Sequence, residues 1–389
     1  MKGFEAPDFY AIADLFTPEE RAAQRTVRDW VEERFLPVIE EHNRAGTFPL
    51  ELVPELAKLG VLGANLKGYG CAGMSNAAYG LIMLELERGD SGLRSFASVQ
   101  GSLSMYAILT FGTEEQRGRW LPPMARGEKI GCFGLTEADF GSDPSGMRTR
   151  ARRDGDDWIL NGTKMWITNG SIADVAVVFA RTEEGPIRGF LVERGTPGFS
   201  AIDVKGKFSM RASVTSELVL EDVRLPAGGL LPGTKGLKAA LMCLNQARFS
   251  IAWGAIGAAM ACYDTALRYA KSRIVFDKPI AGYQLVQQKL TWMITEITKA
   301  QRLVARLSQL KEEGRERPEQ ISMAKMNNVN VALEIARMAR DILGANGILD
   351  EYPVARHLCN LETVKTYEGT HDIHTLVIGE SITGHAAFR

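Results

Sequence analysis

Eight residues near the C-terminus, Thr366-Tyr367-Glu368-Gly369-Thr370-His371-Asp372-Ile373, set one carboxylate between an aromatic ring, a glycine and a hydroxyl. Such a carboxylate suits proton abstraction. An adjoining ring withdraws it from water, which raises a carboxyl pKa, and a neighbour without a side chain admits a substrate. Glu368 is therefore the candidate base, against the alternative that a Glu beside a Gly is an exposed turn residue. A second set lies mid-chain: Phe133-Gly134-Leu135-Thr136-Glu137 with Gly141-Ser142-Asp143, and Trp166-Ile167-Thr168-Asn169. An indole with nearby hydroxyls and backbone N–H groups offers a face and a polar edge to a flat ring ligand. The other reading of this set has Trp166 filling a sandwich core, with the threonines at ordinary strand positions.

The two sets call for different kinds of support. From Thr17 to about Arg126 the pattern is helical. Thr17-Pro18-Glu19-Glu20 combines an N-cap, a first-turn Pro and a capping-box Glu, and Thr113-Glu114-Glu115-Gln116 starts a second helix the same way. Gly60, after Leu52, Leu56 and Leu59, fits a left-handed helix stop. Between Gly131 and Pro226 the helical period gives way to short β-rich runs at 158–160, 165–167, 175–179, 189–192 and 218–220. Asn161-Gly162 is expected to join the first two as a type I′ hairpin. From Leu237 the helical period returns, with Ile335, Met338, Ala339, Ile342 and Leu343 on one apolar face before Gly344. Ile251 to Tyr263 is shorter than the roughly 20 residues of a membrane span. It is expected as a buried helix in which Gly254, Gly257 and Ala258 admit close neighbours. The charged break from Lys311 to Pro318 separates two long helices, so about four helices can fold into an antiparallel bundle. The fold class is multidomain α and β: an N-terminal helical domain (1–130), a middle antiparallel β-barrel or sandwich (131–232) and a C-terminal four-helix bundle (233–389).

With 389 residues, 45% of them hydrophobic, the chain is long enough for two or three cores. Its 46 basic and 47 acidic residues leave a net charge of -1, which gives no bulk drive towards nucleic acid. Cys71, Cys132, Cys243, Cys262 and Cys359 are scattered, so reduced and mostly buried thiols are expected, with no disulfide framework and no metal site. Acids at Glu5, Asp8 and Asp14 interrupt the N-terminus, which fits neither a secretory signal nor an Arg-rich transit peptide. A cytoplasmic location without membrane insertion is the expectation.

Taken together, these segments resemble the acyl-CoA dehydrogenase family over nearly the whole chain, in the same order and spacing. Within it the likeness is greatest to the glutaryl-CoA dehydrogenases, carried by the octapeptide with His374 and by three further stretches. These are Leu66-Lys67-Gly68-Tyr69-Gly70-Cys71-Ala72-Gly73, the run from Glu85 to Ser95, and Gly206-Lys207-Phe208-Ser209-Met210-Arg211-Ala212-Ser213. The helix, β, helix alternation agrees with that family's three-domain fold.

The resemblance implies FAD, bound non-covalently between the β module and the C-terminal bundle. Phe133, Leu135, Thr136, Gly141, Ser142, Trp166, Ile167 and Thr168 match positions around its ring and phosphates. Arg273, Phe276 and Gln284 match the stretch that serves the pyrophosphate and adenine, reaching from a neighbouring subunit. Asp341, Ile342, Leu343, Gly344, Ala345, Thr370 and Phe388 complete the set, and a shared flavin implies a homotetramer. Glu368 would take the α-proton of an acyl-CoA thioester while the β-hydride goes to the flavin. The enolate oxygen would be met by the Glu368 N–H and a ribityl hydroxyl of the flavin. CoA would lie along Ser142, Leu241, Asn245 and Arg248, with Gly369 lining the thioester site. Arg94, with Glu87, Ser95 and Tyr367 around it, would bind the far carboxylate of glutaryl-CoA through paired hydrogen bonds. Oxidation followed by loss of carbon dioxide would give crotonyl-CoA. Electrons would pass to an electron-transferring flavoprotein, in lysine and tryptophan degradation.

Two departures stand out. Where relatives commonly carry Arg-x-Gln-or-Thr-Phe-Gly, this chain reads Arg273-Ile274-Val275-Phe276-Asp277, and Asp277 is expected to keep the turn because Asp tolerates left-handed backbone. Phe140 precedes Gly141 where a small residue is usual, which alters the expected shape of the wall. Two alternatives stay open: a short-chain acyl-CoA dehydrogenase in which Arg94 merely pairs with Glu87 or Asp90, and a DNA-associated flavoprotein of the same fold.

Overall fold

The computed structural model describes residue 4 and residues 6–388; Glu5 lies outside the described residues. Both capping boxes form. Thr17 accepts from the Glu20 N–H at 3.2 Å and its own N–H donates back to Glu20 at 2.9 Å, which starts α1 (Pro18–Trp30). A π-helical turn, Val31–Phe35, leads into α2 (Leu36–Ala45). α3 (Val53–Lys58) is followed by Gly60 at φ 71°, the expected left-handed stop. Next come α4 (Asn76–Gly89), α5 (Ser91–Ser98), a π segment (Val99–Met105), α6 (Tyr106–Phe111) and α7 (Glu114–Ala125) with the second box.

Eight strands then build one sheet: β1 (Gly131–Gly134), β2 (Arg150–Asp154), β3 (Asp157–Thr168), β4 (Val175–Thr182), β5 (Ile187–Glu193), β6 (Phe199–Asp203), β7 (Thr215–Leu225) and β8 (Leu230–Leu231). Their order is β6-β7-β3-β2-β4-β5-β8, with β1 also on β4. The pairings are antiparallel except β1–β4 and β2–β4, which are parallel. Because β1 takes the start of β4 and β2 its end, residues 135–149 leave the sheet at the seam between them.

The Asn161-Gly162 hairpin does not form. β3 runs straight through, and the turn falls instead at Gly155-Asp156 between β2 and β3. Asn161 sits opposite a bulge in β7: Leu160 pairs Val223 and Gly162 pairs Leu220, so one residue faces two. The Asn161 amide donates to the Asp222 carboxylate (2.9 Å) and its carbonyl accepts the Asp222 N–H (2.9 Å), bracing Asp222 at φ 49°. The dipeptide thus serves a bulge, which needs the same turn-tolerant residues as a hairpin.

The C-terminal part consists of α8 (Lys238–Ser272), a small hairpin of β9 (Ile274–Val275) and β10 (Lys278–Pro279), α9 (Gln284–Glu312), α10 (Pro318–Ile342), α11 (Val354–Thr366) and α12 (His371–Thr383). α8 to α11 pack as a bundle, and α12 is added against α10. One hydrophobic core joins this bundle to α4 and α5. The join is close because a Cβ on Gly257 would fall 1.9 Å from the Leu84 carbonyl oxygen, and one on Gly254 2.1 Å from Glu87 Oε2. Among the described residues, no helix is long and apolar enough to cross a membrane. All five cysteines are free, with Cys132, Cys243 and Cys262 buried.

Asp90 ties the three parts together. Fully buried, it caps α5 through the Gly92 N–H and accepts from Arg356 (2.6 Å) and Asn360 (2.8 Å) of α11. Asn360 in turn accepts the Met210 N–H at 2.7 Å. Met210 belongs to the segment that Lys207 braces by donating to the Met210 and Ser213 carbonyls. Asp90→Ala leaves the Arg356 cation uncompensated, so thermal or denaturant unfolding should register a loss of about 3–5 kcal/mol.

Candidate active site

Glu368 lies in the turn between α11 and α12, at φ 53°, followed by Gly369 at φ 101°. Thr370 ends the turn by capping α12, accepting the Ile373 N–H at 3.2 Å. This left-handed bend sends the carboxylate inwards, where Oε2 is buried without a protein hydrogen-bond partner. The exposed-turn alternative does not apply. Burial raises the carboxyl pKa, and the cations Arg94, Arg248 and Lys325 around it oppose that rise without reversing it.

Two of those cations hold the turn itself. The Lys325 ammonium, buried on α10, donates to the carbonyls of Lys365 (3.4 Å), Tyr367 (3.0 Å) and Gly369 (2.8 Å). Arg248 of α8 donates to the Glu368 carbonyl at 2.8 Å and to Asn245 at 3.3 Å. Burial pushes the Lys325 amine down to about 7, against the pull of Glu368. Gly369 leaves room for His374, whose Nε2 would lie 2.8 Å from a Cβ there. Both ring nitrogens of His374 are buried without partners, and burial pushes its pKa down to about 3, so the ring is neutral. Lys325 escapes the sequence argument, and His374 enters it only as part of the resemblance, without a role. Lys325 had a signal: it falls on the buried stripe Ile321, Asn328, Ala332 and Ile335 of α10, an odd place for a lone cation.

Arg94 is fully buried on α5, and it is not a bare cation. Its Nε donates to Glu87 at 2.7 Å and its Nη2 to the Tyr367 hydroxyl, which also lies 3.2 Å from Ser95 Oγ. Of the two expected pairs, the one with Glu87 forms, while Asp90 is taken by Arg356. Glu87, Arg94, Ser95, Tyr367 and Glu368 are thus gathered into one polar cluster, in which the first three are buried and Tyr367 and Glu368 half-buried.

The mid-chain set forms a wall. β3 carries a bulge at Met165-Trp166, where two residues face Glu217 alone, and Trp166 stands at φ 64° with 57% of its surface exposed. A bulge of this kind re-aims a side chain. The indole that fills the sheet core is Trp158, edge-on to Phe190 at 5.3 Å. Thr136 accepts the Met165 N–H through its carbonyl at 2.8 Å, which sets it beside Trp166, and Ile167 is buried next to half-buried Thr168. Glu137 pins the loop, accepting from Arg148 N–H (2.6 Å), Thr149 N–H (2.9 Å) and the Lys164 ammonium (2.9 Å), while Lys164 also donates to Leu135. The Phe140 ring lies over Gly146, and Gly141 and Ser142 are exposed beyond it. Leu135 shares a core with Ala240, Cys243 and Ala247 of α8, so wall and Glu368 turn flank the same stretch of that helix.

Some expectations need correcting or separating. Phe133, Ile342 and Leu343 turn their side chains into the core, Phe133 against Phe179 at 5.2 Å, so only their main chain remains for a ligand. Arg273, Phe276 (88% exposed), Gln284, Asp341, Gly344 and Ala345 lie on the surface, with Asp341 paired to Lys289. Arg273 follows Arg248 by 25 positions on α8, about 37 Å at ~1.5 Å per residue. Phe276 (φ 47°) and Asp277 (φ 64°) form the two-residue turn of the β9–β10 hairpin, as expected of Asp277. Leu241 is 38% and Phe388 47% exposed.

An aromatic face with hydroxyls beside it, and a carboxylate oxygen lacking a partner along the same stretch of α8, are the parts needed to remove a proton from a ligand held against a flat ring. Comparison with known proteins decides the family. Three family models match in order: acyl-CoA dehydrogenase N-terminal domain over residues 17–128, middle domain over 132–223 and C-terminal domain over 234–383. The chain belongs to the acyl-CoA dehydrogenase family. It is an oxidoreductase with the three-domain acyl-CoA dehydrogenase fold. Two solved structures of glutaryl-CoA dehydrogenase from Mycobacterium smegmatis are similar to it, each covering 99% of this chain and 100% of that one. One is 59% identical with TM-score 0.97; the other, in complex with FADH2, is 55% identical with TM-score 0.98. The mitochondrial short-chain specific acyl-CoA dehydrogenase of Bos taurus is 37% identical over 91% of this chain and 88% of its own length.

Proposed function

We propose that this acyl-CoA dehydrogenase oxidises glutaryl-CoA and decarboxylates the product to crotonyl-CoA. The observation that carries the reading is the polar cluster in which Arg94, Glu87, Ser95 and Tyr367 stand beside the unpartnered carboxylate of Glu368. It offers a cationic end for a dicarboxylate chain and a base for its α-carbon side by side. The identities to the two glutaryl-CoA dehydrogenases, above that to the short-chain enzyme, support it.

FAD is the cofactor, and when bound it accepts the hydride that leaves the β-carbon. Trp166, Thr136, Thr168, Leu135 and the main chain of Phe133 and Ile167 fit its ring: an exposed indole face, hydroxyls at the edge and an apolar floor. Glu368 takes the α-proton as its carboxylate. The Glu368 N–H meets the thioester oxygen as negative charge gathers there. Gly369 leaves space for the thioester, and Ser142, Leu241, Asn245 and Arg248 line the approach for CoA. After oxidation the far carboxylate leaves as carbon dioxide, its electron pair passes into the dienolate, and protonated Glu368 returns a proton to give crotonyl-CoA.

Arg273, Phe276, Gln284 and the 341–345 segment, with Thr370 and Phe388, complete the cofactor site across subunits. The separation of Arg273 from Arg248 along α8, about 37 Å at ~1.5 Å per residue and more than the width of a small domain, favours a flavin shared between copies in a homotetramer. An electron-transferring flavoprotein is the acceptor, and a cytoplasmic location goes with this reading. Anaerobic mixing of the purified protein with glutaryl-CoA, followed by mass analysis of the acyl product, tests it: crotonyl-CoA is expected, and glutaconyl-CoA alone would remove the decarboxylation step. A protein that bound duplex DNA at physiological salt and reduced its flavin with no acyl-CoA would belong to the DNA-associated alternative.

A further inference from the structure

The cations beneath the Glu368 turn do more than balance charge. Lys325 and Arg248 together donate to four of the five carbonyls from residue 365 to 369. A helix C-terminus leaves carbonyls to be satisfied, and a cation there is favourable, so the end of α11 accounts for part of this arrangement. It does not account for the bonds to Tyr367 and Gly369, which lie beyond the helix. Nor does it account for burying an ammonium whose three N–H groups all point at one turn. The Tyr367 carbonyl and the Glu368 N–H belong to the same peptide unit. A cation on the oxygen draws electron density through that unit and leaves the N–H more positive, as hydrogen bonds in a chain polarise one another.

We propose that Lys325 is a positioning residue for the reaction: by donating to the Lys365, Tyr367 and Gly369 carbonyls it fixes the left-handed turn that aims Glu368, and it sharpens the Glu368 N–H as donor to the thioester oxygen. This rests on the reading of Glu368 as base. The charged or titratable groups facing Lys325 are Glu368 itself, Arg248 on α8, Glu87 on α4, Arg94 on α5 and His374 on α12. Of the two carboxylates, Glu87 is paired with Arg94, while Glu368 has no ion-pair partner among the described residues, so it is the group that loses most when the Lys325 charge is removed.

Lys325→Met keeps the length of the side chain without donors or charge, and Lys325→Gln restores two N–H donors without the charge. In a folded Lys325→Met protein, kcat should fall roughly 10-fold or more with KM for the acyl-CoA nearly unchanged. The acid limb of the kcat profile should move up by about one pH unit, because Glu368 loses a nearby positive charge. A measurement independent of turnover uses a 3-oxoacyl-CoA, which is acidic at the same carbon. Its enolate absorbs in the ultraviolet, and the pKa of the bound ligand should rise by about one unit in either variant. A wild-type ligand pKa and a wild-type acid limb in Lys325→Gln would overturn the proposal, also where Lys325→Met does not fold. Glu368→Gln run in parallel separates the two readings. If it keeps turnover, the base assignment falls; if it is inactive while the Lys325 variants behave as wild type, only the role of Lys325 falls.

Discussion

Glu368→Gln is expected to lower acyl-CoA turnover by about 10²- to 10⁴-fold, the range that a positioned general base contributes, while the protein keeps its flavin and its fold. Gln has the size of Glu and no carboxylate to receive a proton. The wall proposed for the flavin ring, Trp166 and Thr168 on β3 with Thr136 in the loop after β1, belongs to the β domain and not to the turn, so cofactor content should not follow the mutation. Anaerobic bleaching of the flavin by substrate is the direct readout, and bleaching at the wild-type rate would place the base elsewhere. The pH dependence has a definite sign. Only the carboxylate can act as base, and burial raises the Glu368 pKa above the ordinary carboxyl value. Turnover should therefore fall on the acid side at a pH higher than an exposed glutamate would give, and recover as pH rises through that value.

Much of this site was legible in the sequence because local rules and tertiary packing agreed there. Thr17 and Thr113 cap helices as their spacing demands, and Asp277 takes the left-handed turn that its neighbours require. The carboxylate between Tyr367 and Gly369 turns inward and is withdrawn from water, as its neighbours suggested. Local rules failed where one signal serves two structures. Asn161-Gly162 has the composition of a hairpin turn, yet the pairing of β3 with β7 decided that it should brace a bulge. Trp166 by residue type alone suits either a core or a ligand face, and a second bulge turns it outward, away from the core alternative. Lys325 was missed because periodicity arguments look for apolar residues on a helix stripe and pass over the single cation among them. The carbonyls that repay its burial lie about 40 positions away, at 365 to 369, where only the folded chain brings them into reach.

Arg94→Ala is expected to change the choice of substrate. In the wild type the guanidinium is fully buried, and Glu87 and Tyr367 hold it in one orientation. Glu87 matters to the argument in two ways. It compensates the buried cation, and it engages Nε, which leaves the Nη end directed to Tyr367 on the side of Glu368. Truncating one partner of a buried charge pair costs about 2–5 kcal/mol, and each 1.36 kcal/mol is tenfold in rate. A substrate carboxylate seated against Arg94 should therefore lose roughly 30- to 5,000-fold in kcat/KM. The same mutation strands Glu87 as an unpaired buried charge, so part of any loss will be structural and will fall on every substrate alike. The ratio of kcat/KM for glutaryl-CoA to that for butyryl-CoA removes this shared part, and Arg94→Ala combined with Glu87→Gln restores neutrality as a second control. A ratio that favours glutaryl-CoA in the wild type and collapses in both variants assigns Arg94 to the substrate carboxylate. A wild-type preference for butyryl-CoA, unchanged by either variant, would make the Arg94–Glu87 pair a structural ion pair and the protein a short-chain enzyme.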